Sequence, residues 1–166
     1  MVTDVYHGLE NVDRGSIKYI RILEQVARPW SARRGDSSDV FGKAHVALAQ
    51  HTVIGLKVQW GIVPVEEDGS ANFVVPAGRN IYLPVLDENF VAVQSERTYV
   101  NYQPGGIRSC IGCHETPNSA PAGAGKMNVM ALKRAPSIAV AQPGEASARR
   151  TLHYPADVQP VLDRHC

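Results

Sequence analysis

A chain of 166 residues, 44% of them apolar, has the material for one cored domain, or for one domain with an appendage. Seventeen Lys and Arg stand against sixteen Asp and Glu, and a formal charge of +1 gives no electrostatic case for nucleic acid or an anionic membrane as partner. No apolar run approaches the length of a transmembrane helix, so membrane insertion is not expected.

Residues 1–15 read as a connector broken by Gly8 and Gly15. The opening MVTDVYHGLE has neither the basic flank nor the apolar stretch of a secretory signal. SIKYIRILEQV is apolar, β-branched and of strand length. A polar loop, RPWSARRGDSSDVFGKAH, follows, and VALAQHTVIG fits a strand or a helix equally. In LKVQWGIVPV, Leu56, Val58, Trp60 and Ile62 alternate with Lys57, Gln59 and Gly61, the period of a half-buried strand.

Asp68-Gly69 supplies a hairpin turn, and ANFVVPAG and NIYLPVLD read as two further strands. Pro84, inside the second of these, implies an edge position or a bulge. Asp87–Asn89 is another turn, and FVAVQS and RTYVNY continue the series. Short strands punctuated this regularly predict a mainly β fold, a small antiparallel β-sandwich. With its motif loop that unit spans residues 16–121. Residues 122–152 are rich in Pro, Gly, Ala and Ser, and read either as a flexible linker or as an irregular wrap over a cofactor face. In residues 153–166, Val158, Val161 and Leu162 have the i, i+3, i+4 spacing of one short amphipathic helix.

The chemistry concentrates in SCIGCHE, where Cys110, Cys113 and His114 form C-x-x-C-H. This is the pattern of c-type haem attachment: two thiols three residues apart each add to a porphyrin vinyl group, and the histidine is carried beneath the iron as axial ligand. Zinc is possible but not favoured, because a structural zinc site wants a second Cys or His pair and His153, His165 and Cys166 are not spaced as one. A redox dithiol would want a βαβ context that the flanking strands and loops do not offer.

For the distal iron position the chemically able side chains are His51, His45, Met127 and Met130. Arg79, Arg97 and Arg108 are candidates to fork onto haem propionates, with solvation on strand ends as the plain alternative. Tyr99 and Tyr102 could pack on the ring edge or in the β core. A helix leading into a cysteine is how a small cytochrome c domain opens, so Cys166 reads as the first cysteine of a second haem motif, and the chain as a fragment whose export signal lies elsewhere. The alternative is a thiol of no significance.

YIRILEQV, the stretch from Gly55 to Glu115, and LHYPADVQPVLDRHC together resemble the middle-domain family of the hydrazine synthase alpha subunit, found in large secreted proteins of planctomycete-type bacteria. The resemblance implies haem on Cys110 and Cys113, and adjacent haem modules or a redox protein as electron partners. It also implies a periplasmic or otherwise exported location. In the synthase the motif histidine turns toward zinc, and a tyrosine four positions later ligates the iron. The matching position here is Asn118, so His114 is expected to be an ordinary axial ligand. Three functions are consistent with these features: an electron-transfer haem domain, a haem-dependent oxidoreductase acting on small inorganic nitrogen compounds, and a non-haem β-sandwich binding module.

Overall fold

The computed structural model describes residues 1–26, 57–96, 98–112 and 128–166. Its centre is β1, Tyr19–Gln25, in which Ile20, Ile22 and Glu24 point inward at a strict period of two. β2, Lys57–Pro64, pairs antiparallel along the full length of β1, from Tyr19 opposite Pro64 to Gln25 opposite Lys57.

The other edge of β1 carries two short strands in line, β3 (Asn80–Tyr82) and β4 (Val85–Leu86). Pro84 is the reason for the break: it has no N–H for the ladder, yet its carbonyl still accepts the Arg21 N–H at 2.9 Å. β5 (Ala92–Gln94) extends β4, β6 (Val100–Asn101) extends β3, and β7 (Arg150–Thr151) extends β2. All seven strands share one antiparallel hydrogen-bonded network.

The side alternation expected along β2 holds only in part. Between Ile22 and Leu23 the register shifts, so that Trp60 is the extra residue of a β-bulge and Gly61 takes a φ of +114°. Gln59, Gly61, Ile62 and Val63 are consequently buried, while Val58 and Trp60 are half-buried.

Residues 1–15 are no connector. Val2, Val5 and Tyr6 are buried with Ile17, Ile20, Ile22, Val63, Ile81 and Val85 in a single core cluster. The Tyr6 hydroxyl accepts the N–H groups of Gly15 and Ile17 at 2.8 and 2.9 Å and so folds the segment back on itself. ANFVVPAG is not a strand either. Ala71 bridges Val2 and Phe73 bridges Ser137, because the neighbours it needs come from the two ends of the chain and not from the adjacent hairpin.

Residues 128–152 form a strap laid on the sheet. It buries Val129 and Ala131, makes one 3₁₀ turn over Met130–Lys133, and bridges Ile62 through Val140 before entering β7. The amphipathic C-terminal stretch is a wide turn over Tyr154–Val158 followed by α1, Gln159–His165. Arg150 holds this end through Glu145 and Asp157. No helix among the described residues is long and apolar enough to cross a membrane.

Candidate functional site

The first motif cysteine is set by the N-terminal segment. Cys110 N–H donates to the Met1 carbonyl at 2.9 Å, and the Cys110 carbonyl accepts the Thr3 N–H at 2.9 Å, a parallel bridge centred on Val2. The buried Thr3 hydroxyl lies 3.1 Å from the Ile111 carbonyl and 3.4 Å from that of Cys110. Gly112 packs so closely on His7 that an added Cβ would overlap the His7 carbonyl oxygen and come within 2.9 Å of its Cβ. No local signal in the sequence marks Thr3 or His7 as neighbours of the motif, since their contact with residues 110–112 spans the whole domain.

Cys110 is exposed and borders a recess of about 510 Å³, within the range of cofactor pockets. Phe73, Val74, Leu83, Tyr102, Ile107 and Leu132 contribute to its walls. Three of these are unusually bare for their size: Ile107 is 97% exposed, Val74 52% and Leu132 48%. Apolar surface gathered around one concavity is the mark of a binding site rather than of ordinary surface scatter.

Among the polar groups of the recess, Tyr102 is the most perturbed. Burial, then the nearby Cys110 and Glu96, push its hydroxyl up to about 12 against the opposing pull of Arg108. The phenol is therefore neutral, a hydrogen-bond donor and not a phenolate. Behind the wall, Glu96 accepts the Leu83 N–H at 2.8 Å, and burial raises its carboxyl above the ordinary range.

Arg108 lines the recess. Arg79 does not: it is paired with Glu24 at 3.1 Å on the other side of β3 from Leu83 in sequence, and Glu24 also accepts the Trp60 indole N–H at 2.9 Å. Tyr99 stands edge-on to Tyr82, centroids 6.2 Å apart, and is absent from the recess walls. Met130 is absent from them as well, although Leu132 of the same turn is present. Cys113, His114, His45, His51, Met127, Arg97 and Asn118 lie outside the described residues. His153 donates its backbone N–H to Asp157 at 2.6 Å, His165 ends α1, and Cys166 is exposed just beyond it. No cluster of three or more His, Cys, Asp or Glu among the described residues could hold a metal ion.

An antiparallel β domain that holds Cys110 by backbone bonds beside an apolar recess is the class that fold and site define. Residues 15–115 match the hydrazine synthase alpha subunit middle domain family, and the chain belongs to that family. Among solved structures it is similar to the hydrazine synthase of Kuenenia stuttgartiensis, with a TM-score of 0.67 and 21% identity over 93% of this chain. The likeness is one of fold, and the chain spans only 26% of that longer chain. No curated protein matches it.

Proposed function

We propose that this is a c-type haem-binding domain of an exported, multi-domain redox protein, and that it transfers electrons. Cys110 and Cys113 carry the porphyrin through thioethers, and His114 ligates the iron. The observation that supports this reading is the recess at Cys110, where Ile107, Val74 and Leu132 offer apolar surface in need of a large, flat, apolar occupant. Arg108, at the same recess, is the cation suited to a propionate.

Bound haem supplies a one-electron iron couple. The chain's own groups hold and tune it: the apolar walls exclude water, and Tyr102, kept neutral, offers a donor without adding negative charge. Electrons pass to adjacent haem modules of the same polypeptide or to a separate redox protein. Attachment of haem to thiols takes place outside the cytoplasmic membrane, which is why the protein is read as exported.

Expression of the chain with a haem-maturation system, followed by denaturation and mass measurement, tests the reading. A tetrapyrrole retained on the denatured chain, weakened in Cys110→Ala and lost when Cys113 is replaced as well, is the expected result; a bare polypeptide overturns it. A six-coordinate iron that refuses carbon monoxide fits electron transfer, whereas ready binding of carbon monoxide or nitric oxide favours the catalytic alternative.

A further inference from the structure

We infer that the recess beside Cys110 captures a porphyrin without any covalent bond: its walls stand ready before the ring arrives, and Arg108 and Tyr102 select the ring by one of its propionates. The inference rests on the haem reading above and extends it to the binding step that precedes attachment.

The walls are held by the fold and not by an occupant. Ser137 N–H donates to the Asn72 carbonyl at 2.8 Å and Val74 N–H to the Ser137 carbonyl at 3.0 Å, which ties one wall to the strap. Leu83 is fixed through its N–H by Glu96 at 2.8 Å. The Tyr102 carbonyl accepts the Gly78 N–H at 2.8 Å, and Leu132 N–H donates to the carbonyl of the buried Val129. The Cys110 N–H and carbonyl are bonded to residues 1 and 3. A concavity fixed in this way loses little further freedom on binding. Its apolar side chains nonetheless face water, Ile107 almost completely, so a flat hydrophobic ring gains from entering whether or not a bond follows.

Among the described residues that line the recess, Arg108 carries the single charged side chain. Tyr102 lines it as well, and burial, then Cys110 and Glu96, keep its phenol neutral against the pull of Arg108. A guanidinium and a neutral phenol are both donors, and one carboxylate accepts from both. An apolar recess of about 510 Å³ with one cation therefore suits a ring that is apolar over its faces and acidic at one edge. A porphyrin dicarboxylate has that make-up even when it holds no iron.

The test is the full chain made without haem maturation and titrated with metal-free mesoporphyrin IX. This probe has ethyl groups in place of vinyls and no iron, so neither a thioether nor an axial ligand enters. Porphyrin fluorescence reads the binding, and far-ultraviolet circular dichroism reads the fold. Saturable one-to-one binding is expected. Leu132→Asp weakens it about tenfold or more by setting a charge against the ring. Arg108→Gln and Tyr102→Phe weaken it about fivefold and about threefold, and leave unchanged the weaker binding of the dimethyl ester, which has no carboxylate. Should Leu132→Asp not fold, the Arg108 and Tyr102 variants decide. An unfolded haem-free chain, or binding that no folded variant alters, overturns the capture, and acid and ester bound alike overturn the propionate selection. A matured chain that retains covalent haem, while its haem-free form takes up no mesoporphyrin, overturns the capture and leaves the haem reading standing. Saturable mesoporphyrin binding by a chain that never retains covalent haem overturns that reading and leaves the recess a non-covalent porphyrin site.

Discussion

The Asp68 carboxylate accepts the backbone N–H of Met130 at 2.8 Å, joining the turn after β2 to a strap that arrives much later in the chain. Its other oxygen takes the hydroxyl and the N–H of Ser70, and the Ser70 hydroxyl in turn accepts the N–H of Ala131 at 3.0 Å. Burial by itself would raise the Asp68 carboxyl, but the bonds from Ser70 and Met130 outweigh it and hold the group below its usual value. Its contribution is thus present at and above the ordinary carboxylate range and is lost as pH falls through the lowered folded value. Asp68→Ala should cost about 1–3 kcal/mol, the range for stranded buried donors, and should flatten the acid limb of a denaturant-midpoint profile. An acid limb identical to wild type would refute this role.

Glu96 carries the opposite sign. Burial raises its carboxyl, and the Leu83 N–H offsets only part of that. Because the folded state keeps this proton to higher pH than the unfolded chain does, the stabilisation is full below the ordinary carboxylate range and fades as pH rises through the raised value. Glu96→Gln keeps an acceptor for Leu83 and never ionises. Urea midpoints should therefore coincide with wild type at the acid end and exceed it at neutral pH, and parallel curves would count against the assignment.

The bulge makes Gly61 irreplaceable. At φ +114°, an added Cβ would overlap the Val140 carbonyl oxygen, with the carbonyl carbon at 3.0 Å and the Ala148 Cβ at 3.1 Å. Gly61→Ala is expected to cost about 1–3 kcal/mol through backbone strain alone. It should also speed hydrogen exchange at the Val140 amide, which now bonds to the Ile62 carbonyl at 3.0 Å. Unaltered exchange at that amide would show that the strap does not depend on the glycine.

Glu24 and Arg79 should part company on mutation. Glu24 is 7% exposed, and Glu24→Ala strands the Trp60 indole N–H, at an expected cost of about 1–3 kcal/mol. Arg79, whose side chain is 57% exposed, forms only a screened pair, so Arg79→Ala should cost under about 1 kcal/mol. Thermal melts followed by tryptophan fluorescence separate the two, and equal losses would contradict the difference in burial.

What could be read from the sequence was local. SIKYIRILEQV, β-branched and of strand length, became β1, the Asp68-Gly69 turn fell where its chemistry put it, and Pro84 interrupted its run by dividing β3 from β4. The motif and the family could be read as well, since both reside in runs of adjacent residues, and the family match over 15–115 agrees with the resemblance. The bulge at Trp60 was hidden because one extra residue reverses every later side assignment without changing the apolar count. The pairing of Val2 with Cys110 and of Phe73 with Ser137 was hidden for a different reason: such bonds are chosen by the closed fold and leave no spacing to detect. The recess inherits that difficulty, as Val74, Ile107 and Leu132 meet only after three separate segments converge.

The placement of Val2 has a practical corollary for where this domain is cut. Its backbone bridges Ala71 on one side and Cys110 on the other, while Val129 and Ala131 close the core from beyond the opposite limit of the family span. The autonomous folding unit is therefore wider than residues 15–115 in both directions. A version trimmed to that span would lose the backbone that joins Ala71 to Cys110 and would leave the Cys110 N–H and carbonyl without the partners they have in residues 1 and 3.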